Sequence, residues 1–385
     1  MVSGVTDPSP ELRRADWFEL FFDLVFVVTV AVLAHGLHGD PGWRDLGTFL
    51  VLFFPAWWAW VNLTLSVNLF GSDTGWNRTV LVAAMPGLGL MAAAAPEGLG
   101  ARAWVFALGA AWVRVAVFAL WWPQVGRSRW EFPAWRPIVY CLVPAAIWAV
   151  SAFADGPGRF ALWGLAVALE VALLSFGTAQ SQLMYRLLSV DHLIERVGLF
   201  IVIVFGESVF AVVTGLAEHL SGPAAAAALG AFVVVALLAI TFFRWSTPSA
   251  ERGFARAQAL GARANMREAV LYLPFLLVSA ITVLAAALGT AVAEPDHHLP
   301  SGSMAGLVGG IVGYYAVTGA IAQRLGESWR SLLRWLPASL LLPAAVLVPA
   351  GLLLPAWAAT LTAAAVVLAL FAMSKLTEGK AVPAQ

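Results

Sequence analysis

The chain has 385 residues, of which 61% are hydrophobic and 11% are charged. A soluble globular chain carries about 25% charged residues, so a water-exposed surface is excluded and most of the surface must face the lipid bilayer, the first predicted partner. The net charge of zero indicates no nucleic-acid partner, and a single cysteine, Cys141, excludes an internal disulfide and any cysteine-based metal cluster.

The first apolar segment follows a polar, arginine-containing head over residues 1–16. The segment begins at Trp17 and is about 20 residues long, which is more than the core of a signal peptide needs. No stretch of small residues closes it as a cleavage site would. We therefore expect it to be retained as a membrane span.

Runs of about 20 apolar residues cross a bilayer as helices. The sequence predicts about twelve such spans, give or take one, and hence an all-α polytopic integral membrane helical bundle. The predicted spans are 18–37, 46–66, 79–95, 103–122, 136–153, 159–183, 197–217, 226–245, 270–292, 304–323, 331–352 and 355–373.

The distribution of arginine predicts the topology, because cytoplasmic loops carry the excess of basic residues. With the N-terminus inside, the inner loops and the C-terminal tail hold most arginines and both lysines, whereas the outer loops hold Arg44, Arg102 and Arg159. This predicts a multi-pass protein of the plasma (cell inner) membrane with both termini cytoplasmic. Its parts are a tail over 1–16, a bundle over 17–373 and a tail over 374–385.

A weak internal similarity links the first and seventh spans, where "LFFDLVFVVTVAV" can be aligned with "LFIVIVFGESVFAV". The two spans have the same predicted orientation, so a six-plus-six parallel repeat over 17–190 and 191–373 is allowed. Membrane composition alone also produces such matches, and both explanations stay open.

Ionisable side chains inside a membrane cost about 2.5–3.5 kcal/mol each at mid-helix, so they mark functions, partners or cavities. In the first span, "WFELFFDLVF" places Glu19 and Asp23 four residues apart on one helix face. His35 follows near the opposite interface. The alternative is a pair of interfacial carboxylates, with Glu19 favoured by the helix dipole.

Three further spans carry polar groups. Asn68 lies at the inner end of the second, and buried asparagines often hold helices together. The fourth contains Arg114 and the sixth contains Glu170, the deepest acid in the chain. Arg114 and Glu170 can neutralise each other in a purely structural role.

The seventh span and its approach, "DHLIERVGLFIVIVFGESVF", hold the densest polar cluster. His192 and Glu195 share a helix face, and Arg196 is adjacent. Glu207 lies mid-span and is followed by Ser208. A protonated Glu207 bonded to a neighbouring helix is the structural alternative to a functional carboxylate.

At these residues the chain resembles the bacterial low temperature requirement protein A family. The resemblance rests on "ELFFDLVFV", on "WWAW" followed by Asn68, and on "HLIERVGLFIVIVFGES". The family implies an integral membrane protein of many spans, but its name records a growth phenotype rather than a reaction. The chain departs from the pattern of the family at two places. The family often has an acid-rich stretch after the second span, where this chain reads "FGSDT" and keeps only Asp73. It also often has a histidine before the proline of the ninth span, where this chain has Tyr272.

Three functions fit these residues. The first is a transporter or carrier of a small solute, in which intramembrane carboxylates form a proton or cation relay and Asp23 faces Glu207. The second is a membrane-embedded enzyme acting on a lipid or isoprenoid substrate, with Glu207 as general acid. The third is a non-catalytic membrane component whose acids serve helix packing.

Transport is the interpretation we favour, and whether the protein is an enzyme stays open. We predict no metal site. The sequence does not identify a cofactor, a catalytic group, the solute, a coupling ion or the oligomeric state. The residues predicted to line the pathway are Glu19, Asp23, His35, Asn68, Glu170, His192, Glu195, Arg196, Glu207 and Ser208.

Overall fold

A computed structural model of the chain describes residues 17–72, 74–126, 133–175, 188–259 and 263–379. These residues form helices joined by short turns, and no β-strand occurs among them. Asp73, both predicted tails up to residue 16 and from residue 380, and the end of the predicted sixth span lie outside the described residues.

The described residues of the N-terminal half form six apolar helices. α3 and α4 each end in a 3₁₀ turn, and α5 contains a π-helical turn, Ile138–Leu142. The helices are α1 Trp17–His35, α2 Trp43–Phe70, α3 Gly75–Ala94, α4 Ala103–Trp121, α5 Trp135–Ser151 and α6 Pro157–Ser175.

The C-terminal half, as far as the structure describes it, adds six more apolar helices and one amphipathic helix, α9. A short helix, Arg263–Arg267, and a π-helical turn, Glu268–Tyr272, lead into α10. The helices are α7 Val190–Glu218, α8 Gly222–Thr241, α9 Thr247–Ala259, α10 Leu273–Ala293, α11 Ser301–Arg324, α12 Leu336–Leu353 and α13 Ala356–Gly379.

Eleven helices in the described residues are long and apolar enough to cross a membrane, and α5 is a shorter apolar helix that takes the place of the predicted fifth span. The all-α polytopic bundle predicted from the sequence is thereby confirmed, and the span number agrees with twelve give or take one. The cytoplasmic placement of the termini and the internal repeat stay predictions.

Prolines account for three local departures from α-helical geometry. Pro144, Pro248 and Pro274 each follow a π-helical turn by two residues. A proline has no N–H and its ring clashes with the carbonyl four residues earlier, so the preceding turn widens. In the turn before α10 the Leu271 carbonyl accepts a 2.7 Å bond from Trp57 Nε1 of α2.

The helices pack as two groups that meet along a narrow interface. α3 packs mainly on α4, and α5 packs on α4 and α6, whereas α10 packs on α7 and α11, and α8 on α13. α1 and α2 of the first group contact α7 and α10 of the second. These four helices therefore form the seam between the halves.

The contact between α3 and α4 is close because glycines lie at the crossing. A Cβ on Gly109 would lie 2.5 Å from the carbonyl oxygen of Gly87, a backbone atom that cannot move aside cheaply. Small residues at such crossings let helices in membranes pack by close van der Waals contact.

We predict that Gly109→Ala lowers the thermal unfolding temperature of the purified protein in detergent, by a destabilisation of about 1–3 kcal/mol. Gly89→Ala is the matched control on α3, because nothing lies within 4 Å of its added methyl group. The control is expected to be neutral or slightly stabilising, since alanine favours helix by about 0.5–1 kcal/mol over glycine. Equal unfolding temperatures for the two variants would contradict the close crossing.

Candidate functional site

A buried charged cluster joins the two halves at the end of the bundle where α1 begins, which we call the Glu19 end. Glu19 and Asp23 come from α1, and Arg196 comes from α7. Their side chains are at most 2% exposed. Arg196 donates to Asp23 through Nε, at 3.1 Å, and through Nη2, and to Glu19 Oε2 through Nη1 at 2.9 Å.

α2 supplies further donors to this charged cluster. Trp60 Nε1 donates to Asp23 Oδ1 at 2.8 Å, and Thr64 Oγ1 lies 3.5 Å from Arg196 Nη2. Trp60, Thr64 and Asn68 are spaced by four residues, which places all three on one face of α2. That spacing is the sequence signal that identifies Trp60 and Thr64, neither of which is among the residues predicted to line the pathway.

His192, also completely buried, extends the charged cluster toward the start of α7. Its Nε2 lies 2.8 Å from Glu19 Oε2, and its Nδ1 lies 3.0 Å from Asn68 Nδ2. Asn68 also bonds both backbone groups of Ser189, the N-cap residue of α7. α1, α2 and α7 are therefore linked by one continuous hydrogen-bond chain.

An aromatic layer covers the membrane side of the charged cluster. The rings of Trp57 and Trp60 stack with centroids 4.9 Å apart, and Phe200 of α7 packs on both. Phe26 and Ile201, at most 2% exposed, continue the apolar packing along α1 and α7. Water is thereby kept from the membrane side of the ion pairs, which strengthens their mutual attraction.

A separate cavity of about 400 Å³ lies at the opposite end of the same seam, where α1 ends. We call this end of the bundle the His35 end. The walls are the second halves of α1, α7 and α10, and small residues such as Ala34, Ala211 and Ala286 leave the space. Exposed helix-end residues, including Glu218 and Glu294, line its mouth.

The polar lining of the cavity is acidic and histidine-rich. Glu207, Glu218 and Glu294 line it together with His35 and His38, and no arginine or lysine occurs among its described lining residues. Partial enclosure lowers the pKa of His38, in the loop after α1, below its ordinary value, and the neighbouring His35 adds to this effect. Because a neutral His38 adds no positive charge, the carboxylates make the electrostatic potential in the cavity negative.

Glu207 is half-buried and makes no hydrogen bond or ion pair with any described residue. The predicted contact between Asp23 and Glu207 is wrong, because Asp23 meets Arg196 instead. Arg196 precedes Glu207 by eleven residues, which is about 16 Å along α7. The rotation of α7 against α1 decides which of its side chains Asp23 reaches.

The remaining predicted residues lie elsewhere. Glu170 pairs with Arg114 within the N-terminal half, through two bonds of 3.1 and 3.0 Å, which confirms their mutual neutralisation. Ser208 is buried and bonds the Val204 carbonyl of its own helix. Glu195 is half-buried on α7. The structure thus divides the predicted pathway into the charged cluster, the cavity around Glu207 and His35, and the Arg114–Glu170 pair.

No group of three or more histidine, cysteine or acidic side chains in the described part of the chain is arranged to hold a metal ion. Tyr272, where the resembling family often has histidine, stacks on Trp58 with centroids 5.9 Å apart.

The fold and the seam define a polytopic helical membrane protein with an acidic cavity between two helical groups. The profile of the bacterial low temperature requirement A protein family matches residues 14–372, and the chain belongs to this family. The chain is also 26% identical over 212 residues to an uncharacterized protein of Rhizobium meliloti (strain 1021). That match covers 52% of this chain and 50% of the relative, so it spans about half the length of each.

We predict that Arg196→Met destabilises the protein by about 3–5 kcal/mol, because it leaves two buried carboxylates without their counter-charge. The thermal unfolding temperature in detergent should fall strongly. Glu207→Gln, which breaks no ion pair or hydrogen bond with a described residue, should leave that temperature nearly unchanged. Similar losses in both variants would mean that Glu207 serves helix packing rather than the cavity.

Proposed function

We propose that the protein is a carrier of small cationic solutes in the plasma membrane. One observation supports this above all: an acidic cavity and a sealed charged cluster occupy opposite ends of one seam between two helical groups. A binding site open toward one face and closed toward the other is the arrangement that alternating access requires.

The charge of the cavity favours a cation. Three carboxylates and no described arginine or lysine line it, so a positive solute gains electrostatic attraction throughout the cavity. Its volume of about 400 Å³ lies within the range of about 300–1,000 Å³ typical of small-molecule sites. Glu207 lies deepest along α7 and is the carboxylate that would meet the charged group of the solute.

The charged cluster would act as the closed gate. Asp23 and Val30 are seven residues apart on α1, so about 10 Å of buried apolar packing separates the charged cluster from the cavity. Release of the solute at the Glu19 end requires that the hydrogen bonds of Arg196 to Glu19 and Asp23 break as the two halves move apart. Of the residues predicted to form the relay, Glu207 and His35 would therefore contact the solute. Glu19 and Asp23 would belong to the gate, and Glu170 would belong to neither.

The test is uptake into proteoliposomes of three radiolabelled probes of similar size: tetramethylammonium, the zwitterion glycine and the anion lactate. We predict protein-dependent uptake of tetramethylammonium alone. In Glu207→Gln the Coulombic attraction between the carboxylate and the cation is lost, which is worth about 1–4 kcal/mol at a separation of about 4 Å, so half-saturation should rise at least about fivefold.

Glu97→Gln is the matched control, since Glu97 is an exposed carboxylate in the 3₁₀ turn after α3, outside the cavity lining and paired with exposed Arg102. Its uptake should equal that of the native protein. Uptake that is unchanged in folded Glu207→Gln, or that prefers lactate, would reject a cation carrier of this design.

A further inference from the structure

The hydrogen bonds of Asn68 fix which way its amide points. The backbone N–H of Ser189 donates to Asn68 Oδ1 at 2.9 Å, and a backbone N–H must face an acceptor. The other amide atom, Nδ2, donates to the Ser189 carbonyl at 2.9 Å. The second hydrogen of Nδ2 is therefore the one directed at His192 Nδ1.

This orientation assigns the proton on His192. Because Asn68 Nδ2 is a donor, His192 Nδ1 must accept and carries no hydrogen. Nε2 then carries the single ring proton and donates it to Glu19 Oε2 at 2.8 Å. His192 is accordingly neutral in this arrangement, and its bond to Glu19 is a hydrogen bond between a neutral ring and a carboxylate.

With a neutral His192 the charged cluster has one negative charge in excess, since Glu19 and Asp23 are opposed by Arg196 alone. The positive end of the α7 dipole offsets part of this excess. Asp23 Oδ1 and Glu19 Oε2 each accept two hydrogen bonds already, whereas His192 Nδ1 accepts one, from Asn68 Nδ2. An imidazole nitrogen is also more basic than a carboxylate oxygen, so an added proton goes to Nδ1 and displaces that one bond.

We propose that His192 is a proton-binding site that controls the junction of the two halves, and this role rests on the proposed carrier function. A proton from the aqueous phase at the Glu19 end adds to the lone pair of Nδ1, and the charged cluster becomes neutral. The new N–H cannot face the Asn68 NH₂ group, so the amide turns. Asn68 then loses its paired bonds to Ser189, and α2 is released from the start of α7.

The other charged groups near this part of α7 leave the assignment intact. On the elements that pack against it, Glu268 before α10 pairs with Arg324 at 2.7 Å. Glu251 and Arg252 of α9 are exposed, as is Asp191 at the first turn of α7. At the Glu19 end the charged groups on these elements include Glu19, Asp23, Asp191, Glu195, Arg196, Glu251, Arg252, Arg256, Arg267 and Glu268.

The test is ¹⁵N NMR of the full-length protein in lipid nanodiscs, labelled at histidine and asparagine, with His192→Gln and Asn68→Leu to assign the two signals. At neutral pH we expect the His192 signals of a ring protonated on Nε2 alone. On acidification the ring should become doubly protonated, and the Asn68 amide signal should change together with it. A proton on Nδ1 at neutral pH, or a His192 transition that leaves Asn68 unchanged, would overturn the proposal.

Asn68→Asp gives a second, independent measurement. Its carboxylate presents an acceptor to His192 Nδ1, so the ring should be doubly protonated already at neutral pH. Asn62→Asp is the control, because Asn62 is a buried asparagine of the same helix whose amide bonds Trp58 and Tyr140 instead. A singly protonated His192 in folded Asn68→Asp protein would contradict the proposal.

The NMR measurements do not depend on transport activity, so they test the proton site independently of the carrier function. If the NMR results are as expected but the proteoliposomes show no uptake, the proton site stands and the carrier function fails. If uptake occurs while His192 keeps one proton at every pH, the carrier function stands and the proton site is rejected.

Discussion

The guanidinium of Arg196 lies between two carboxylates of a neighbouring helix, and the arrangement of the seam depends on this contact. Five N–H donors in a fixed plane allow one arginine to serve Asp23 with two bonds and Glu19 with a third. Burying three charges is costly unless each is paired and hydrogen-bonded. Trp60, His192 and Thr64 supply further polar contacts, so α1, α2 and α7 are held in one mutual rotation.

That rotation also determines what happens at the other end of the seam. Since α1 and α7 run in the same direction, fixing Asp23 against Arg196 directs Ala34 and His35 toward Ala211 and Thr214 further along. Small side chains there, together with Ala286 and Gly289 of α10, leave room that larger residues would fill. The closed end and the open end are thus two consequences of one helix pairing.

The seam differs from the interior of the N-terminal half in which elements its charged contacts join. Within the N-terminal half, the buried Arg114–Glu170 pair connects α4 and α6, and it has no described path to the cavity. Within the seam, the charged contacts lie between elements of different halves. Charges that bridge two groups of helices oppose their separation, which is why the charged cluster suits a gate and the Arg114–Glu170 pair suits a structural brace.

The sequence by itself determined the class of protein, the approximate number of spans and the short set of residues worth examining. Long apolar runs and the high cost of intramembrane charge are local properties, so they can be read without neighbours. The pairing of Arg114 with Glu170 was also predictable, because each is a deep charge of opposite sign. The spacing of four residues between Trp60, Thr64 and Asn68 is also visible in the sequence, and it would have placed Trp60 beside the charged cluster.

Only the tertiary structure decided which side chains meet. Asp23 faces Arg196, 173 residues away in the chain, rather than Glu207, because the rotation and register of the two helices are set by packing along their whole length. The cavity likewise arises from alanines and glycines on three separate helices, none of which has a local signal. Contacts of this kind depend on geometry between elements, which no single stretch of sequence contains.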